Sequence, residues 1–283
     1  MARTELEPRL DGVNQVVGDS GVAKRSAHAF GRGWRYYRDL VAHLVGSQLT
    51  ARYRRSLLGW LWAVALPLAQ LGVFYFVFTE VMPTAREHFL LFLFTGIITW
   101  SWFANALTGA ATSLVGRRDL VLRPGFPTVI LPIVAVLVAM VDYLLAFPLL
   151  LIGAIVALGF HPVYVLLPAL IAAQFVFTAG LSLLVAPLNV FFRDVAHLLG
   201  VALTLFFFVS PVLYSGDQVP ARFASIYALN PMAQLIDGYR TILLERRPPD
   251  AMSLTITAAA AMACLVIGMV VFNSLRHRIP DSL

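Results

Sequence analysis

FFFVSPVLYSGDQVPARFASIYALNPMAQLIDGYR, residues 206–240, is the stretch on which the reading of this chain turns. An aromatic apolar run is cut by Pro211, a polar interval follows, and a second apolar segment opens at Asn230-Pro231. A tract of ~10–14 apolar residues is too short to cross a bilayer, and beside longer apolar runs it reads as interfacial or re-entrant. In that second segment Met232, Leu235, Ile236, Tyr239 and Leu243 fall on one helical face. Asp237 and Arg240, three residues apart, are spaced to pair on the same helix.

The rest of the chain supplies the longer runs. It is 59% hydrophobic and 13% charged, with a mean hydropathy of +0.80, far more apolar than a soluble globular domain. The fold class expected is an all-α integral membrane protein with six transmembrane helices, at about 61–81, 89–115, 129–160, 163–191, 195–214 and 251–275. Each run has the ~20 residues a crossing needs. Residues 215–250 form an external re-entrant segment between spans five and six, and Pro132 and Pro148 tilt or kink the third span. Residues 1–33 read as a polar, flexible tail; no apolar region precedes Leu40, so no signal peptide is expected. Residues 34–58 read as an amphipathic helix in the membrane interface, with Trp34 at one end and Arg52, Tyr53, Arg54 and Arg55 at the other. Six spans put both termini on one side. Sixteen Lys and Arg flank the spans there, against five on the opposite side, so both termini are expected in the cytoplasm and 206–240 outside.

Composition also excludes functions. The net charge of +6 comes from residues flanking the apolar spans, so it reads as topology, and nucleic acid is not expected as a partner. One cysteine, Cys264, permits neither an internal disulfide nor a cysteine metal site. The one lysine, Lys24, sits in GVAKRS, without the glycine and hydroxyl of a phosphate-binding loop, so the chain is not expected to hydrolyse ATP by itself. Six scattered histidines show no ligand spacing, so the reading places no catalytic residues and no metal in this chain.

Asp142, in MVDYLLAF, is the one carboxylate deep within a span. An intramembrane ionisable residue is a functional candidate, and a structural hydrogen bond to a neighbouring helix is the equal alternative. Span two carries Thr95, Thr99, Ser101, Asn105, Thr108, Thr112 and Ser113 among aromatics. Phe74, Tyr75, Phe78, Trp100, Asn105, Phe206, Phe207, Phe208 and Tyr214 are channel-lining candidates, set against an interfacial or packing role for the same rings. Aromatic faces beside small hydroxyls suit a carbohydrate, whose C–H faces stack while its hydroxyls stay free to move.

Four passages together resemble one family, the membrane subunits of polysaccharide-exporting ABC transporters (Wzm/TagG-like permeases). They are RYRRSLLGWLWAVALPLAQLGVFYFVF at 52–78, RRDLVLRPGFPTVILP at 117–132, NVFFRDVAHLL at 189–199 and LNPMAQLIDGYRTILL at 229–244. The resemblance implies a homodimer, two separate ATP-binding cassette subunits that hold ATP and Mg, and a lipid-linked polysaccharide moved through a bacterial inner membrane among its lipids. No cofactor is implied in this chain. By the same resemblance Arg117, Arg118, Asp119, Leu120 and Arg123, with Arg193 and Asp194, couple to the ATPase, although an Arg193–Asp194 pair could also lock helix ends. Asn230, Pro231, Asp237, Tyr239 and Arg240 belong to an external gate, and spans one and five line the dimer pathway. Arg-Pro-Gly at 123–125 departs from the family pattern and leaves the coupling loop's shape open. Twenty arginines against one lysine make a galactan the substrate expected first. A drug or lipid exporter permease and a lipid-sugar transferase using Asp142 are the alternatives.

Overall fold

The computed structural model describes residues 21–54, 59–81, 87–223 and 227–283, with the backbone alone over 21–32 and at Trp34. Arg55 and residues 1–20 lie outside the described residues. All regular structure among the described residues is helical: α1 (Gly21–Tyr53), α2 (Trp62–Phe76), α3 (Phe89–Ser113), α4 (Arg118–Val121), α5 (Ile130–Leu158), α6 (Leu167–Phe191), α7 (Val195–Val209), α8 (Pro231–Leu243), α9 (Ala251–Leu275) and α10 (Ile279–Ser282).

The chain divides into two compact units, meeting between Ser47 and Gln48. In the first, α1 begins thirteen residues before the expected Trp34, so 21–33 are helix where a flexible tail was expected. Between Gly21 and Gly31 the run VAKRSAHAF has no proline and is rich in Ala, Lys and Arg, which lose little side-chain freedom in a helix. Arg38 pairs with Asp39 at 2.9 Å on an exposed face of α1.

The second unit, from Gln48, is a helical bundle. Five stretches are long and apolar enough to cross a membrane: Gly59–Val81, Phe89–Ser113, Ile130–Leu158, Pro162–Phe191 and Ala251–Leu275. The chain is thus an all-α multi-pass membrane protein. The expected fifth span is shorter than read: α7 has 15 residues and ends at Val209, not Tyr214. At ~1.5 Å per residue it covers about 22 Å of a ~30 Å hydrocarbon layer. Pro211 is the cause, because the residue before a proline is driven out of the helical region. Ser210 is extended, at φ −83° and ψ 146°.

Helix α3 is the centre of the bundle, with 78% of its most apolar window buried, against 6% for the first span. Lipid gives no hydrophobic drive for helices to associate, so they are joined by close packing and by hydrogen bonds between them. Gln174 of α6 donates to the Thr99 carbonyl of α3 at 2.9 Å. Asn189 donates to the Ala111 carbonyl at 2.8 Å and accepts from the Ala196 amide at 3.0 Å, so one side chain joins the ends of α3 and α6 to the start of α7. At the crossing of α6 and α9 a Cβ on Gly268 would stand 2.1 Å from the Gly180 carbonyl oxygen. Only glycine lets those two backbones meet.

Candidate functional site

Apart from the helix-joining amides of α6, two gatherings of polar groups stand out among the described residues. One is at the break after α7, where the turn at Ser210–Tyr214 presents carbonyls toward α8. Arg240, 5% exposed, fills that space. Its Nη1 donates to the carbonyls of Pro211 (2.6 Å) and Tyr214 (3.1 Å), and its Nη2 to those of Val212 (2.8 Å) and Phe92 (3.3 Å). The guanidinium also lies 3.4 Å above the Phe92 ring, where the ring's negative face attracts it. A cation can be buried here because a planar fork of N–H groups matches a curved row of carbonyls. The expected Asp237–Arg240 pair is present but long, at 3.9 Å.

Neighbours complete this cage. Asn230 caps α8 by accepting from the amides of Met232 (3.0 Å) and Ala233 (3.3 Å), and it donates to the Ser210 hydroxyl at 3.1 Å. Such caps are worth about 1 kcal/mol each. Pro231 takes the first helical position, where its missing N–H costs nothing. Asp237 accepts from the Tyr227 hydroxyl, and burial first, with that carboxylate second, pushes the Tyr227 phenol above its ordinary range. Gly96 of α3 allows the approach, since a Cβ there would be 2.5 Å from the Val212 oxygen and 2.9 Å from Arg240 Nη2. Tyr239 is 1% exposed, with its ring 6.5 Å from that of Tyr143.

The other place is a groove of about 930 Å³ between α2, α3 and α5. Ser101, Asn105, Thr108 and Thr112 lie at steps of four, three and four along α3, and all four line it. Gln70 of α2 faces them, and Trp62, Trp102 and Tyr143 add aromatic wall. The rim carries Asp142, bound by the end of α1: Arg52 Nη1 donates to Oδ2 at 2.5 Å and the Tyr53 hydroxyl to Oδ1 at 2.6 Å. The Tyr53 ring stacks on Trp60 at 4.8 Å. Burial first, and its bond to Asp142 next, push the Tyr53 phenol up from 10.0 to about 12. Asp142 is thus no isolated carboxylate. Its partners lie about ninety positions away in sequence, and no signal in the sequence joins them.

The remaining candidates separate into groups. Phe74, Trp100, Phe206 and Phe207 are engaged with one another: Phe74 stacks on Phe207 at 6.1 Å, and Trp100 meets Phe206 and Phe207 at 5.8 Å each. Phe78 packs edge-on against Phe89, while Tyr75 and Phe208 are exposed. The Tyr214 hydroxyl donates to the Val209 carbonyl at 2.6 Å. Of the proposed coupling residues, Arg118, Asp119, Arg123, Arg193 and Asp194 are exposed, and Arg117 and Leu120 half-buried. Arg54 is exposed as well. No ion pair joins Arg193 to Asp194 among the described residues. No group of three or more His, Cys, Asp or Glu placed to hold a metal occurs among the described residues. Gln70, Gln174 and Asn189 went unnoticed in the sequence, although a single amide within an apolar span is a visible signal for each.

The model of the ABC-2 type transporter family matches residues 40–244. The O-antigen export system permease protein RfbA of Myxococcus xanthus is 37% identical over 251 residues, covering 87% of this chain and 96% of that protein. A protein of the same name from Klebsiella pneumoniae is 29% identical over 251 residues, 88% of this chain and 96% of its own length. The polysialic acid transport protein KpsM of Escherichia coli is 20% identical over 249 residues, 86% and 95% of the two chains.

Proposed function

The chain belongs to the ABC-2 type transporter family, and on that premise we propose that it is the permease subunit of an exporter carrying a lipid-linked polysaccharide of the O-antigen class across a bacterial inner membrane. The observation that carries the reading is the 37% identity to a relative named for O-antigen export, over nearly that relative's whole length. ATP and Mg are held by separate subunits, two to each pair of permease chains. On this reading there are six crossings, the last as α9 and the fifth as α7 continued by Ser210–Tyr214, which keep both termini on one side. The excess of Lys and Arg flanking the spans on that side supports the cytoplasm. On that topology α8 is re-entrant from outside, and the Arg240 cage lies at the outer face.

The loop between α3 and α5 is then cytoplasmic. Arg118 and Arg123 stand exposed on it, with no side-chain partner among the described residues. A docked ATPase subunit supplies acidic partners for such side chains, and displacement of the loop passes directly to the ends of α3 and α5. The test is export in cells carrying Arg117→Glu with Arg118→Glu. ATPase activity of the purified complex is expected to persist while surface polysaccharide falls by about tenfold or more, an interfacial cost near 1.4 kcal/mol. Unchanged export would remove the coupling role. Failure of the chain to co-purify with any ATP-binding subunit from its own host would remove the transporter reading.

A further inference from the structure

Four of the aromatic rings nominated in the sequence for contact with sugar, Phe74, Trp100, Phe206 and Phe207, are packed against one another. The groove between α2, α3 and α5 differs. The amides of Gln70 and Asn105 and the hydroxyl of Ser101 have no hydrogen-bond partner among the described residues. Thr108 and Thr112 donate their hydroxyl protons to carbonyls of their own helix, at 2.9 Å and 3.3–3.4 Å, so what they offer the groove is lone pairs. Polar groups left unmet at membrane depth cost several kcal/mol each, and lipid tails cannot meet them.

We infer that this groove is a binding site for the neutral, hydroxyl-bearing headgroup of a membrane lipid, a sugar carried on an acyl or prenyl chain. The inventory of groups selects that chemistry. The amides of Gln70 and Asn105 and the Ser101 hydroxyl donate, and hydroxyl lone pairs and amide oxygens accept. Such a mixed set matches hydroxyls, each of which both gives and takes a bond. Among the described residues the only charges on the wall, Arg52 and Asp142, are bound to each other at 2.5 Å, so the described wall offers a phosphate no net positive charge. Trp62, exposed on the groove wall, supplies a flat face for sugar C–H surfaces, whereas Trp102 and Tyr143 are buried behind it and stacked on each other. A volume of about 930 Å³ is in the range of natural ligand pockets and holds a few sugar rings. The walls belong to membrane-spanning helices, so a ligand anchored in the bilayer reaches the groove sideways. The inference rests on the export reading for which sugar lipid occupies it, and adds where in this chain that headgroup is held.

The test uses the full chain with its ATP-binding subunit in nanodiscs and an octyl glucoside bearing a photoreactive diazirine on the sugar. Saturable labelling is expected within 62–73 and 98–112, suppressed by plain octyl glucoside and not by octyl phosphate. Asn105→Leu and Thr108→Val should each lower it about fivefold, as the loss of one hydrogen bond predicts. Asn105→Trp, which fills an open groove without removing any contact seen in the fold, should abolish it in a complex that still elutes as a single species. Label spread evenly over the apolar exterior, or equal competition by octyl phosphate, overturns the inference. Groove labelling absent from a complex that still exports polysaccharide overturns the site and leaves the export reading intact. Labelling that follows the predicted pattern in a complex that exports no glycan supports the site and counts against the export reading alone.

Discussion

The Arg240 cage and the α2–α3–α5 groove use similar polar chemistry to opposite ends. At the cage one cation is shared among four carbonyls, an aromatic face and a carboxylate, with Asn230 and Ser210 tied in beside it. In the groove, Ser101 and Asn105 of α3 and Gln70 of α2 across from them have no hydrogen-bond partner among the described residues, and an ion pair closes the rim. In a low-dielectric interior a satisfied polar network fixes one conformation, whereas unmet groups are costly unless a ligand or water meets them. The cage reads as structure and the groove as a site. A column of rings, Trp102 on Tyr143 at 4.9 Å and Tyr143 near Tyr239 at 6.5 Å, leads from the groove wall to the residue beside Arg240.

Removing the cation from the cage is the harshest way to break this comparison. Arg240→Met keeps much of the side-chain volume and strips four carbonyls of their donor. The loss should be on the order of 4 kcal/mol, since bonds to a charged donor are individually strong but not additive. A fall of many degrees in the thermal unfolding midpoint of the purified chain is the expected result. Little change would mean that Ser210–Tyr214 holds its shape without Arg240. Gly96→Ala attacks the same cage from α3, by placing a methyl where the Val212 carbonyl and Arg240 Nη2 now sit.

Next in size is a contrast between neighbours. Phe207 is 9% exposed and packs on Phe74 and Trp100, while Phe208 is 62% exposed. Phe207→Ala should cost about 3 kcal/mol of stability through the cavity it leaves. Phe208→Ala should stay within about 0.5 kcal/mol. If the two are equal, the aromatic cluster is not the packing unit its geometry describes, and its rings return as candidates for lining a pathway.

Much of this was legible in sequence because it depends on local pattern. Apolar runs of sufficient length marked the five long spans, Asn230-Pro231 marked the start of α8, and the helical stripe from Met232 to Leu243 marked its buried face. Two boundaries were misjudged for local reasons as well. The helical composition of 21–33 was overlooked among its glycines, and Pro211 ended α7 before its apolar run stopped. What sequence could not give is the pairing of distant groups. Arg240 was read against Asp237, three positions away, whereas its shortest bonds go to backbone carbonyls, which carry no residue signature. The groove was half visible: its polar residues on α3 were noticed, but Thr95 and Thr99 were grouped with them although both are buried on another face.

The smallest effect tests the groove's rim. Arg52 is half exposed, so its pair with Asp142 contributes little to stability, about 1 kcal/mol or less. Asp142→Asn should leave the unfolding midpoint nearly unchanged and register in Tyr53. Burial and the bond to Asp142 favour the neutral phenol, so its folded pKa, about 12, stands above the unfolded value of 10.0. A raised folded pKa adds stability that is complete below pH 10 and is lost as pH rises toward 12. Alkaline titration of phenolate absorbance, with Tyr53→Phe as the subtraction, should show Tyr53 ionising late in the native chain. In Asp142→Asn it should ionise earlier, though still above 10.0, because burial is the larger cause. An unaltered titration would mean that Tyr53 and Asp142 are neighbours without being coupled. The rim would then be held by Arg52 alone, and the groove would be closed less firmly than the cage by a wider margin than the geometry implies.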